Sequence, residues 1–268
     1  MQRASQLLSD AQRKCLARFG ASRCVDIHCH CLPALDDGPG TLGSALALCR
    51  ALVEDGVTTV IATPHQLGRY DDRSGRSAPA AVRDAVTALG AALAAEDVPL
   101  EVHPGADVRL DERIARLLDE DKILTLADAG RYLLLELPHQ IFLDPRRLLR
   151  DLASRGVRAV ISHPERHEVL TGHSHLVRPW LEEGAILQIT SGSLLGEFGA
   201  TAEQAAWEWL ESGWVDLVAS DAHGATRRPP RMSPAIDVIC RRLGFDLARR
   251  CCIDNPERVL LGQDIAST

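Results

Sequence analysis

Two histidines one residue apart close the segment Val25-Asp26-Ile27-His28-Cys29-His30. In an extended chain alternate side chains share a face, so His28 and His30 present two neutral imidazoles to a single ion. Alone this is a modest signal, because paired histidines are also ordinary surface or core residues. Recurrence strengthens it: His65, Asp107, Glu136, His163, Asp221 and His223 each fall at or just after the end of an apolar run, and Asp37 follows the first run. Nitrogen and carboxylate donors without thiolates suit Zn, Mn or Fe, and so many donors suit more than one ion. Glu136 is the charged residue in the apolar run Tyr132-Leu133-Leu134-Leu135-Glu136-Leu137. Buried there, it needs a partner.

The elements that must position these residues read as alternating strands and helices. Strands are predicted over 25–28, 57–62, 100–107, 132–137, 157–162, 185–190 and 215–219. Between them lie a helix begun by Thr41 or Ser44 and stopped by Gly56, and helices over 80–96, 111–121, 144–155, 176–183 and 203–212, the last carrying Trp207 and Trp209 as packing residues. Two more close the chain over 234–250 and 256–261, the second opened by Asp254-Asn255-Pro256 as a cap with proline in the first turn. Such alternation points to a parallel, closed or nearly closed α/β barrel, in which the strand C-termini share one mouth.

The 268 residues are 46% hydrophobic and 25% charged, which suits one barrel-sized domain over 23–268. Leu7, Leu8, Ala11, Cys15, Leu16 and Phe19 recur at helical spacing, so residues 1–22 read as an amphipathic N-terminal extension packed on the domain, with a membrane-surface role as the alternative. A net charge of −7 argues against a nucleic-acid partner held by a broad basic face. No apolar run nears the roughly 20 residues needed to span a bilayer, and no signal-peptide core opens the chain, so a cytoplasmic protein not embedded in a membrane is expected. The eight cysteines include no C-x-x-C pair and read as small buried hydrophobes. Cys252 to Arg258 matches a C-x5-R phosphate loop in form, but Asp254, Pro256 and Glu257 would repel an anion or remove a donor.

The set resembles the PHP (polymerase and histidinol phosphatase) family of metal-dependent phosphoesterases from about Val25 onward. Within it the sequence is most similar to the bacterial tyrosine phosphatases that accompany capsular and exopolysaccharide tyrosine kinases. The carriers are Asp26-Ile27-His28-Cys29-His30, Asp36-Asp37-Gly38-Pro39, Ala62-Thr63-Pro64-His65, Gly105-Ala106-Asp107, His163-Pro164-Glu165-Arg166, Ala219-Ser220-Asp221-Ala222-His223, Arg228-Pro229-Pro230 and Ile253-Asp254-Asn255-Pro256.

The resemblance implies a distorted (β/α)7 barrel holding three divalent ions, manganese first, with iron or zinc as alternatives. His28, His30, Asp107 and Asp221 would hold one ion, Asp107 would bridge to a second held by Glu136 and His163, and Asp37, His65 and His223 would hold the third. Asp107 departs from the glutamate that the resemblance implies at that place. Four carboxylates against three divalent ions leave roughly +2, a hole for a phosphate dianion. Arg228 and Arg166 would then neutralise phosphate oxygens, and a metal-bound hydroxide would attack phosphotyrosine of an autophosphorylating kinase. A small-molecule phosphatase, for instance of histidinol phosphate, is the alternative enzyme, and an inactive metal- or phosphate-binding module the non-catalytic one. His103, His139, His167, His173 and His175 read as surface or structural, and Arg227 and Arg231 as solvated. Glu165 reads as a residue that could orient a ligand histidine. Arg69, Arg73 and Arg76 read as a solvated loop or as a face for an acidic protein.

Overall fold

β1 (Val25–Cys29) is buried along its whole length and pairs in parallel with β2 (Thr59–Ala62), which pairs with β4 (Glu101–Pro104). The computed structural model describes residues 8–70 and 75–265; Leu7 and Arg73, both used above, lie outside them. A second parallel sheet runs β3 (His65–Gln66), β5 (Asp107–Arg109), β6 (Tyr132–Glu136), β7 (Arg158–Ser162), β8 (Ile186–Thr190) and β9 (Val215–Ala219). The architecture is mixed α/β with parallel sheets, and the expected single run of seven strands is replaced by sheets of three and six strands among the described residues.

The extra strands come from two breaks. Where one strand was predicted over 57–62 and one over 100–107, the chain continues past each and splits at Thr63-Pro64 and Gly105-Ala106. Pro64 has no N–H for the ladder. A Cβ at Gly105 would stand 2.7 Å from Ile61 Cγ2, so the backbones approach closely there. After the break His65 and Asp107 are direct neighbours in register. The sheets are linked elsewhere: Asp221 N donates to His28 O (2.8 Å) and His30 N to Ala222 O (2.9 Å), tying the end of β1 to the chain leaving β9. Val25 and Ile27, Ile61, Leu134, Val160, Ile186 and Leu217, drawn from both sheets, meet in one apolar cluster.

Helices cover the strands. α1 (Asp10–Phe19) opens with a Ser9–Gln12 capping box, and buried Gln12 donates from Nε2 to Val57 O and Pro99 O, both at 2.7 Å. Its Phe19 stacks on Phe245 at 4.9 Å. α2 (Leu42–Glu54) uses both candidate starters, Thr41 as cap and Ser44 as its reciprocal partner. α3 (Pro79–Ala95), α4 (Ile114–Asp119), α5 (Arg146–Ala153), the short α6 (Glu168–Gly172) and α7 (Arg178–Glu182) follow, and then α8 (Ala200–Glu211), in which Trp207 and Trp209 are buried. Among the described residues no helix is long and apolar enough to cross a membrane.

The C-terminus corrects the predicted helix start. α9 (Met232–Leu243) and α10 (Phe245–Arg249) lead through a π-turn over Arg250–Asp254 directly into α11 (Asn255–Leu260). Asp254 is itself helical and caps nothing. Asn255 is instead spent on a buried tertiary bond, Nδ2 to Asp216 O at 3.0 Å. Cys252 lies in the π-turn with no exposed surface, its thiol pushed well up by burial. It cannot cradle a phosphate.

Candidate metal centre

His28, His30, Asp37, Glu136, His163, Asp221 and His223 lie near the C-terminal end of a strand or in the loop that follows it, whereas His65 and Asp107 open β3 and β5 just after the strand breaks. His28 Nε2 stands 3.3 Å from His30 Nε2, 3.2 Å from Asp221 Oδ1 and 3.7 Å from Asp107 Oδ2. His163 Nε2 is 3.9 Å from the same Asp107 oxygen. His65 Nδ1 lies 3.5 Å from Asp107 Oδ2 and 3.5 Å from Glu136 Oε2, while its Nε2 faces Asp37 Oδ1 at 3.5 Å. His223 Nε2 reaches that Asp37 oxygen at 3.4 Å. These atoms fall into overlapping sets able to hold an ion, among them His30, Asp37, His65 and His223; His28, His163 and Asp221; His28, His30 and Asp107; and His65, Asp107 and Glu136. His28, His30, His65 and Asp107 sit at the junctions, each belonging to two of these sets.

The electrostatics show what the cluster suits. Burial pushes His28 down to about 3 and His65 to about 4, and drives His163 well below the usual imidazole range. Neutral imidazoles are what a metal needs. Burial opposes charge on His30 as well, but Asp36 and Asp221 outweigh it and raise its pKa to about 10. Burial, reinforced by Glu136 and Asp221, pushes Asp107 well above the carboxylate range. Its Oδ1 accepts from Ser162 Oγ at 3.1 Å, yet Oδ2 has no hydrogen-bond partner, and neither has His65 Nδ1. Two buried, unpartnered donors 3.5 Å apart, ringed by further nitrogen and oxygen donors, fit divalent cations.

Cations surround the donors. Arg166 Nη2 donates to Asp221 Oδ2 at 2.6 Å, and Arg228 donates to the same oxygen and lies 3.0 Å from His223 Nε2. Despite burial, Arg166 and its neighbours hold Asp221 well below the carboxylate range. Arg109 pairs with Glu136 Oε1 at 2.8 Å and Arg69 with Asp37 Oδ2 at 2.9 Å. Tyr70 stacks on His65 (centroids 5.0 Å, planes 14° apart), and Phe198 lies against the two arginines in the lining of a cleft of about 540 Å³. His163, Asp221 and Arg228 all adopt positive φ, at 35°, 51° and 53°, a backbone conformation that costs free energy for non-glycine residues and clusters at functional sites.

A family model described as capsular polysaccharide synthesis, CpsB/CapC, matches residues 24–261. The chain belongs to this family. Members similar to it include the tyrosine-protein phosphatase YwqE of Bacillus subtilis (strain 168), 36% identical over 244 residues that cover 90% of this chain and 93% of YwqE. The tyrosine-protein phosphatase CpsB of Streptococcus pneumoniae is 29% identical over 247 residues, covering 89% of this chain and 99% of CpsB. A crystal structure from work on YwqE and CpsB, described as unique metal-dependent tyrosine phosphatases, superposes with a TM-score of 0.86 at 36% identity, covering 91% of this chain and 97% of that one.

Several readings from sequence need revision within the family frame. His139, set aside as structural, joins Glu136 and His163 in a further set able to hold an ion. Glu165 orients no histidine; fully buried, its Oε1 accepts from Thr190 N (2.9 Å) and Ser193 Oγ (2.7 Å) and so holds the turn after β8. Arg231, read as solvated, is partly exposed and pairs with Glu197 at 2.6 Å. Unforeseen were Asp36 on His30, and Gln188, whose Oε1 lies 2.8 Å from His28 Nδ1. Gln188 left a signal of the same kind as Glu136, a polar side chain inside an apolar strand. Phe198 and Tyr70 left none.

Proposed function

We propose that this chain is a metal-dependent protein-tyrosine phosphatase, a phosphoric monoester hydrolase acting on phosphotyrosine in a bacterial kinase of capsule or exopolysaccharide synthesis. The observation that carries the reading is the unpartnered, buried Asp107 Oδ2 among histidine nitrogens with Arg166 and Arg228 on the same cleft. Membership of the CpsB/CapC family and the names of its relatives support the substrate.

In this reading the strands act as one closed (β/α)7 barrel, which the bonds between β1 and the chain after β9 support. His28, His30, Asp107 and Asp221 hold one ion, Asp107, Glu136 and His163 a second, and Asp37, His65 and His223 a third, manganese being the first candidate. Residues 23–268 form the phosphatase domain, residues 1–22 extend it, and the protein works in the cytoplasm. Bound there, divalent ions supply Lewis acidity that acidifies water and offsets phosphate charge.

The chain's own residues do the rest. Gln188 accepts from Nδ1–H of His28, which leaves the Nε2 lone pair facing the donor cluster. Asp36 fixes His30 in the same sense. Arg166 and Arg228 offer planar donors to the non-bridging oxygens of the phosphoryl group. Tyr70 walls the cleft that admits the phenol ring.

The test is turnover by manganese-loaded protein of phosphotyrosine peptides against histidinol phosphate. Faster cleavage of the peptides by orders of magnitude is expected. The reverse ranking would replace the protein substrate with a small one, and full metal occupancy without turnover of either would leave a binding module.

A further inference from the structure

Phe198 is a large aromatic residue that belongs to neither apolar cluster of the described residues. Its ring is covered by charge instead: Arg166 Cζ lies 4.6 Å and Arg228 Cζ 5.8 Å from the ring centroid. Both distances fall within the range at which a guanidinium is attracted to the negative face of a phenyl ring. The same two guanidiniums converge on one carboxylate oxygen, Asp221 Oδ2. Their Nε atoms are buried without a hydrogen-bond partner. Two like charges are therefore held side by side by one shared oxygen at their edges and one shared ring at their faces, with His223 Nε2 a further contact of Arg228 alone.

The chain goes to some length to put the ring there. Phe198 follows the turn Ser193–Leu195, which buried Glu165 anchors through Ser193 Oγ and Thr190 N. Glu197 N returns to Gly192 O at 3.0 Å. A Cβ on Gly192 would stand 3.0 Å from Phe198 Cε2, so glycine is what lets the ring lie back against the turn. Glu165 precedes Arg166 in sequence, so one short segment fixes both the arginine and the turn that carries its ring.

We propose that Phe198 is a positioning residue that holds Arg166 and Arg228 as a pair for the phosphoryl group, by stacking under both guanidiniums and leaving their Nη edges turned to the cleft. The inference rests on the phosphatase reading for its substrate, but what it concerns is the phosphate and not the tyrosine ring. Loss of the aromatic face would let the two cations drift apart, because Asp221 and, for Arg228, the contact with His223 Nε2 would be left to oppose their repulsion.

The experiment compares manganese-loaded wild type, Phe198→Leu and Phe198→Trp for binding of inorganic phosphate by calorimetry and for kcat/KM on a phosphotyrosine peptide, with metal content and Tm measured on each. Phe198→Leu, which keeps bulk but has no aromatic face, is expected to weaken phosphate binding about tenfold and Phe198→Trp to restore it to within about threefold. On an Arg166→Gln background the leucine substitution should cost no more than about twofold, since its effect acts through that arginine. Unchanged phosphate affinity in the leucine variant, with a higher KM for the peptide alone, would overturn the proposal and make Phe198 a contact for the substrate ring. A tryptophan variant as weak as leucine, or full additivity with Arg166→Gln, would overturn it too. Wild type that binds phosphate yet cleaves no phosphotyrosine would refute the phosphatase reading only, and the phosphate comparison would still decide the role of Phe198.

Discussion

Asp36 Oδ2 lies 2.5 Å from His30 Nδ1 and also accepts from the backbone N–H of His65 at 3.0 Å. One buried carboxylate thus fixes the tautomer of one expected ligand and the backbone of another. Removing a carboxylate behind a ligating histidine typically costs 10–100-fold in metal affinity. Asp36→Ala is expected to weaken manganese binding by about that factor, read by calorimetry on apo protein, and to lower Tm in metal-free buffer as well, because His30 Nδ1 and the N–H groups of Gly38 and His65 lose their acceptor. Wild-type affinity in this variant would take Asp36 out of the metal site.

His30 and the carboxylates also set a direction for pH. Burial notwithstanding, Asp36 and Asp221 raise His30 to about 10, so metal-free protein carries a proton there at neutral pH. A metal must displace it. Manganese loading at pH 7 should release protons into a weak buffer, and metal affinity should rise as pH rises towards the His30 pKa. Loading without proton uptake by the buffer would mean that His30 is already neutral.

Substitution of a donor at the cleft separates chemistry from folding. His65→Ala and Asp221→Ala should each abolish turnover while circular dichroism stays that of wild type, because both residues stand at strand ends beside the cleft and outside the apolar clusters. Arg228→Ala should lower kcat/KM by the equivalent of about 1.5–3 kcal/mol, the value of one charge-assisted contact, without lowering metal content. If metal is lost together with activity in the Arg228 variant, that arginine supports the donors and not the substrate.

Cys252 offers a check on the nucleophile. It is fully buried in the π-turn and its thiol is pushed up, not down. Cys252→Ser should therefore keep its activity, whereas a strong chelator should abolish turnover until manganese is restored. Activity that survives chelation and vanishes in the serine variant would put a thiolate mechanism in place of the metal.

Away from the site, Asp216 on β9 pays a stability penalty that pH can reveal. Burial raises its pKa to about 6, against the pull of Arg158 and Arg250, and its Oδ1 has no hydrogen-bond partner. A carboxyl whose pKa is higher folded than unfolded costs stability above the folded value, and the cost fades as pH falls from about 6 to about 4. Asp216→Asn should accordingly stabilise the protein at pH 7.5 by about 1–3 kcal/mol in urea unfolding, with the gain gone near pH 4. A gain that is the same at both pH values would assign the effect to packing.

The positions of the donors were legible in sequence because parallel α/β proteins place chemistry at strand C-termini, and a strand end can be read from a short apolar run followed by a polar residue. His28, His65, His163 and Asp221 are all of this kind. The same local reading found the Thr41 helix start, whose reciprocal bonds join residues three apart. What each donor faces was decided only by tertiary structure. Asp36 meets His30 after a loop, Gln188 meets His28 across 160 residues, and Arg166 and Arg228 reach Asp221 from two different loops. Strand breaks at Pro64 and Gly105 bring His65 into register with Asp107, and that register depends on the packing of Ile61 against a residue more than 40 positions away, which no local pattern encodes. The Asp254-Asn255-Pro256 start failed for the same reason: a buried carbonyl of β9 needed a donor, and Asn255 supplied it.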